Sequence, residues 1–157
     1  MAFSKYGQYI LVIHERTSRW LAITRLESKN ASHVADRIKR LIAPLPAKLR
    51  RTMTFDNGTE FAEHFKLNDT LGLHTFFCDP HAPWQKGSVE NAILRMRRML
   101  PRKSDLATMS SHQIQAHVKA YNRTPRKCLE FKTPAERFAE LSAHHPLGAT
   151  VARSPNR

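Results

Sequence analysis

The chain has 157 residues, 41% of them hydrophobic, and carries 26 Lys and Arg against 13 Asp and Glu, a formal net charge of +13. That length suits one domain and that apolar content suits a real core, which excludes general disorder, while the lack of any run of about 18 apolar residues excludes a spanning helix. The charge excess favours a polyanionic partner, usually nucleic acid, over an idle basic surface.

Met1 to Ile13 carries only Lys5 before its apolar stretch and reads as a strand rather than a leader. Gln8 to Ile13 is apolar and β-branched, Thr17-Ser18 is a turn, and Arg19 to Leu26 alternates, which together predict a hairpin. Asn30 or Ser32 caps a helix with Val34, Ile38, Leu41 and Ile42 on one face, ended by Pro44 and Pro46. Arg51 to Asp56 predicts a strand and Asn57-Gly58 a turn; Thr59 to Leu71 predicts a helix with Phe61, Phe65 and Leu71 inward, closed by Gly72. Leu73 to Cys78 predicts another strand, with Cys78 buried, and Asp79 to Gly87 a loop anchored by the Trp84 ring. Ser88 opens a helix with a Val89, Ile93, Met96, Leu100 stripe, stopped by Pro101. A further helix spans Ser110 to Tyr121, Asn122 to Lys132 is irregular, Thr133-Pro134 starts a last helix, and the chain past His144 reads as frayed. This order predicts an α/β fold, a mixed sheet with helices packed on it.

Two carboxylates stand where structure alone does not require them. Asp56 ends a strand, and Glu90 sits in the first turn of a helix just after a Pro/Gly loop. Such ends are where a mixed sheet gathers functional groups, although turn chemistry and the helix dipole favour the same residues. Cys78 and Cys128 form no CxxC pair and read as reduced cytoplasmic thiols; the nine histidines form no metal-binding spacing, and His81 lies in the loop before Glu90.

The context of the two acids is specific. Phe55-Asp56-Asn57-Gly58-Thr59-Glu60-Phe61 resembles the DNGxEF segment of retroviral-type integrases and DDE transposases, and Pro83-Trp84-Gln85-Lys86-Gly87-Ser88-Val89-Glu90-Asn91 resembles the segment that carries their final glutamate. The 33 residues between Asp56 and Glu90 match that superfamily's spacing. Tyr121-Asn122-Arg123-Thr124-Pro125-Arg126-Lys127-Cys128-Leu129 and Lys132-Thr133-Pro134-Ala135-Glu136 resemble the tail of IS30-family transposases. The resemblance implies a ribonuclease H-like catalytic core over residues 1–140, with a basic, disordered tail over 141–157. It also implies Mg²⁺ or Mn²⁺ held by carboxylates, with Asp56 and Glu90 as second and third acids of a triad, and DNA as substrate at terminal inverted repeats and target sites. Self-association, or pairing with a full-length transposase, and a cytoplasmic, nucleoid-associated location follow from the same resemblance.

The family's first Asp has no counterpart here. No Asp precedes Asp36, and neither Asp36 nor Glu15 aligns with it. The expectation is therefore a first strand that is incomplete or missing, a reading frame or chain cut after that Asp, and a chain defective in cleavage that still binds DNA or pairs with transposase. Lys86, Arg95, Arg97, Arg98, Arg123, Arg126 and Lys127 are the candidate phosphate contacts, each also readable as part of a solvated face.

Overall fold

The structure, a computed structural model, describes residues 2–3, 7–80 and 82–143. Of the tail expected over 141–157, residues 141–143 are helical, and residues 144–157, with His81 in the loop before Glu90, lie outside the described residues. The elements, in chain order, are β1 (Ala2–Phe3), β2 (Gln8–His14), β3 (Leu21–Leu26), α1 (Ala31–Ile42), β4 (Thr52–Phe55), α2 (Phe65–Leu71), β5 (His74–Phe77), α3 (Gly87–Met96), α4 (Ser111–Asn122) and α5 (Pro134–Ala143).

The hairpin forms as its alternation requires. β2 and β3 pair antiparallel from Tyr9↔Leu26 to His14↔Leu21. Glu15 shapes the connection: its carboxylate accepts from the Thr17 and Ser18 N–H groups and the Ser18 hydroxyl, and Ser18 is fully buried. Because side chains alternate along a strand, the hairpin feeds two cores. One holds Ile10, Leu21 and Ile23 against Ala92, Met96 and Leu100 and against Ile114, Val118 and Tyr121 of α4. The other holds Leu11 against Val34, Ile38 and Ile42 of α1 with Phe55, Leu67 and Leu73. Full burial of each Leu or Ile contributes about 1.5–3 kcal/mol, so this two-sided packing dominates the fold's stability.

The helices start where their caps put them. Asn30 Oδ1 accepts from the Ser32 N–H to open α1, and Ser110 and Gln113 form a reciprocal capping box at α4. The long helix expected over Thr59 to Leu71 is instead a 3₁₀ turn at Thr59–Phe61 followed by the short α2, closed by Gly72 at φ 61°. The shift in phase puts Leu67 inside and leaves Phe65 half exposed, the reverse of the expectation for Phe65. α3 likewise begins one residue early, at Gly87, and gives way to turns after Met96, yet still buries Leu100.

The sheet differs from a single mixed one. β1-β2-β3 is an antiparallel sheet, and β4 and β5 form a separate parallel pair, from Thr52↔His74 to Phe55↔Phe77. Among the described residues β1 pairs Ala2 with Tyr9 and Phe3 with Gln8, and no strand bridges β2 and β4.

The outer edge of β3 is closed by side chains of α4. Asn122 Oδ1 accepts from the Leu21 N–H at 2.9 Å while its Nδ2 donates to the Leu21 carbonyl at 2.8 Å, and Gln115 Nε2 donates to the Ile23 carbonyl at 3.1 Å. Asn122 and Leu21 are both buried, so removing the amide strands two peptide groups with no water to replace it. Asn122→Ala is therefore expected to cost about 2–4 kcal/mol in urea unfolding, against less than about 0.5 kcal/mol for the exposed neighbour Lys119→Ala. Equal midpoints for the two variants would refute this role for Asn122.

Candidate active site

Asp56 follows the last residue of β4 and is half exposed. The neighbouring Asn57 is structural: its Nδ2 donates to the Cys78 carbonyl at 3.0 Å and ties the tip of β4 to the end of β5. Gly58 needs no unusual conformation, at φ −71° and ψ 137°. Its value is space: a Cβ there would collide with Glu60 Oε2 and lie 3.1 Å from Asp56 Oδ1. Two carboxylates thus converge on the volume that a side chain at position 58 would fill. Glu60 was not singled out from sequence, although its place within the Asp-Asn-Gly-Thr-Glu-Phe segment is the signal that could have found it.

On the opposite side, Lys86 Nζ stands 3.6 Å from Asp56 Oδ2. Lys86 ends a 3₁₀ turn, Pro83–Lys86, that runs directly into α3. Glu90 lies four residues further on, about 6 Å along the axis, in the exposed first turn of α3. The Lys86–Asp56 pair therefore brings the tip of β4 against the start of α3, one helical turn from Glu90. Between partners this exposed, such a pair is worth at most about 1 kcal/mol, so a divalent cation or a phosphate can separate it.

The loop before α3 is held by a contact invisible to sequence patterning. Gln85 Oε1 accepts from the Asp79 N–H and Gln85 Nε2 donates to Asp79 Oδ2, both at 2.8 Å. Trp84, expected to anchor this loop through its ring, is instead 76% exposed. The reciprocal pair does the anchoring, which frees the indole.

The basic candidates separate by environment. Arg95, Arg98, Arg123 and Lys127 are exposed. Arg97 is half-buried, and burial followed by the nearby charge of Arg102 lowers its pKa. Arg126 is buried, stacks 4.5 Å over the Tyr121 ring and donates to the Tyr121 carbonyl at 3.2 Å. Its backbone N–H donates to the Lys132 carbonyl and its carbonyl accepts from Phe131, so it organises the turn before α5. These contacts give Arg126 a scaffold role.

A hard divalent cation needs oxygen donors, and Asp56 and Glu90, with Glu60 beside Asp56, are of the right type. Among the described residues no group of three or more His, Cys, Asp or Glu is close enough to hold a metal ion.

The fold places the chain in a class. It is similar to the crystal structure of the catalytic core domain of BIV integrase, with a TM-score of 0.67 at 22% identity, over 86% of this chain and 88% of that one. The fold is thus the ribonuclease H-like one of integrase cores. By sequence, the chain is homologous to IS30-family transposases. It is 36% identical over 130 residues to transposase InsI for insertion sequence element IS30A of Escherichia coli (strain K12), covering 83% of this chain and 34% of that protein. It is 34% identical over 133 residues to the transposase for IS1086 of Cupriavidus metallidurans, covering 85% of this chain and 39% of that one. A putative integrase of Spiroplasma virus SpV1-R8A2 B is 28% identical over 133 residues. The chain spans about a third of the length of the first curated relatives it matches. No protein-family model matches it.

Because both loop-closing hydrogen bonds come from one exposed side-chain amide, Gln85→Ala is expected to act locally. Amide exchange at Asp79 and proteolysis between Asp79 and Lys86 should rise about tenfold, while the global unfolding free energy moves by less than about 1 kcal/mol. Unchanged exchange at Asp79 would show that the loop is held by something else.

Proposed function

We propose that this chain is the DNA-handling catalytic core of an insertion-sequence transposase, with residues 1–140 as one unit and Asp56 and Glu90 as two of its metal-binding acids. The observation that carries the reading is the Lys86–Asp56 pair, which seats a cation on the Asp56 carboxylate at the point where β4 meets the first turn of α3. Mg²⁺ or Mn²⁺, when bound, lowers the pKa of the attacking water or 3′-hydroxyl and stabilises the leaving oxygen in phosphodiester cleavage and strand transfer. The chain's own residues supply the rest. Asp56 and Glu90 offer oxygen ligands from rigid element ends. Lys86 neutralises Asp56 until a stronger cation arrives and then is free to meet a phosphate. Arg95, Arg98, Arg123 and Lys127 draw in the DNA backbone, the terminal inverted repeats and target in an intact element. Self-association, or pairing with a full-length transposase, completes the assembly. No helix among the described residues is long and apolar enough to cross a membrane, and a nucleoid-associated, cytoplasmic setting fits this role.

A second reading has its own support. With no group of three ligating residues among those described, this 157-residue chain fits a DNA-binding or transposase-pairing remnant that cuts poorly. Both readings predict DNA binding, and cleavage separates them. Mn²⁺ titration calorimetry should show Asp56→Asn and Glu90→Gln each weakening binding by about tenfold or more. Neutralising one exposed arginine should reduce the salt slope of DNA binding by about one. On inverted-repeat DNA with Mg²⁺, the remnant reading expects only weak nicking. Brisk nicking abolished by Asp56→Asn would overturn the remnant reading, whereas Mn²⁺ affinity unmoved by either substitution would sink the metal site itself.

A further inference from the structure

β5 is the outer strand of its pair. It is bonded to β4 alone, from Thr52↔His74 to Phe55↔Phe77, and among the described residues no strand lies beyond it. The His74 and Cys78 N–H groups donate to the Arg51 and Phe55 carbonyls, so alternate peptide groups of this strand face β4. Successive residues face opposite edges, which turns the peptide groups of Thr75 and Phe77 outward.

Open strand edges are usually blunted by Lys, Pro, a bulge or a covering side chain. The outer edge of β3 is covered in this way by Asn122 and Gln115. β5, with the sequence His-Thr-Phe-Phe, carries neither Lys nor Pro and pairs without a bulge.

The side chains along this edge are apolar and uncovered. Phe76 is 55% exposed, Phe77 39%, and Phe65, at the start of α2, 51%. Phe77 lies 5.8 Å from the Phe55 ring and 4.9 Å from the His64 ring between centroids, and His64 in turn meets Phe65 edge-on. Phe76, its neighbour in the strand, points to the opposite face. Both faces of the edge therefore present aromatic surface.

The edge also lies in the least cationic part of the chain. Of the 26 Lys and Arg, none falls between Leu67 and Gln85, the longest such interval in the sequence. The lysines that bound it are each paired with a carboxylate, Lys66 with Glu63 and Lys86 with Asp56. Two copies of a chain with a net charge of +13 repel one another, and contact through this edge sets the fewest cations face to face.

We propose that β5 is a self-association edge, pairing antiparallel with β5 of a second copy about a two-fold axis at Phe76. A two-fold contact must be self-complementary, and this register is. Thr75 of each copy stands opposite Phe77 of the other, so every outward N–H and carbonyl of the two strands finds a partner. The two Phe76 rings meet as a non-hydrogen-bonded pair, the position where cross-strand side chains come closest, while Phe77 and Phe65 close over the other face. Half-exposed phenylalanines of both copies would cover on the order of 600 Å², which is small for a permanent interface, so the pairing is expected in the micromolar range. It follows from strand geometry and stands whether or not Asp56 and Glu90 hold a metal.

Sedimentation velocity and amide exchange on the whole chain, without DNA, test the pairing across a concentration series. The chain should pass from monomer to dimer through the micromolar range. Over the same range exchange at Thr75 and Phe77 should slow about tenfold, while His74, already bonded to β4, holds constant. Phe76→Lys, which sets two cations against each other across the axis, should raise the dimer dissociation constant about 100-fold. Phe131→Lys, at a ring 73% exposed in the turn before α5, should leave it unchanged. If Phe76→Lys fails to fold, the exchange series on the unaltered chain decides alone. A chain that stays monomeric throughout would overturn the proposal. So would a dimer that leaves exchange at Thr75 and Phe77 unslowed, or one that a folded Phe76→Lys variant forms equally well.

Discussion

The burial of the β2–β3 hairpin on both faces is the constraint on which the rest of the molecule depends. Ile10, Leu21 and Ile23 point to α3 and α4, while Leu11 points to α1, so one hairpin fixes both helical layers. A one-residue slip in the His14↔Leu21 register would exchange the two sets of side chains and dismantle both cores together. The register is defended at several points. Asn122 grips the Leu21 peptide, Gln115 grips Ile23, and the Glu15 carboxylate fixes the turn through Thr17 and Ser18. His14, at the end of β2, sits where burial, with Arg19 nearby, pushes its pKa down to about 4, so near neutral pH its imidazole is uncharged.

That constraint explains why the active-site candidates lie where they do. Phe55 at the end of β4 and Ala92 and Met96 of α3 are buried in the cores, while Asp56, just past β4, and Glu90, in the first turn of α3, stay exposed. Rigid elements position the two acids at the solvent-facing edge of the cores. Lys86 occupies the place of a counter-ion, near enough to offset the Asp56 charge and exposed enough to yield.

Most of the fold was legible because it rests on local rules. Alternation from Gln8 to Leu26, the caps at Asn30 and Ser110, and the stripe through Ile114, Val118 and Tyr121 each point to a single element. The region around Phe65 misled, because a 3₁₀ turn changes helical phase without altering the spacing of apolar letters. At the candidate site, Asp56 and Glu90 stand out only through the motifs around them. The Asp79–Gln85 staple, the approach of Glu60 to Asp56 across Gly58, and the exposure of Trp84 were not legible, because each depends on where a loop folds back in space.

The same distinction reassigns the motif at residues 121–136. Read as letters, its arginines suggest a DNA-facing cluster. In three dimensions Tyr121 and Asn122 are buried, Asn122 serves the hairpin, and Arg126 lies under the turn that launches α5. Glu130 and Phe131 adopt consecutive left-handed conformations, at φ 54° and 63°, and the Phe131 N–H donates to the Arg126 carbonyl. Non-glycine residues hold such geometry only where surrounding contacts impose it, and here those contacts converge on Arg126. Thr133 then accepts the Glu136 N–H while the Glu136 carboxylate accepts from the Thr133 N–H and hydroxyl, a reciprocal cap that starts α5 and brings Phe138 onto Trp20 with 4.5 Å between ring centroids. Residues 121–136 thus act chiefly by returning the chain to the hairpin, which leaves Arg123 and Lys127, exposed on either side of the buried Arg126, as the members of that cluster available to a polyanion.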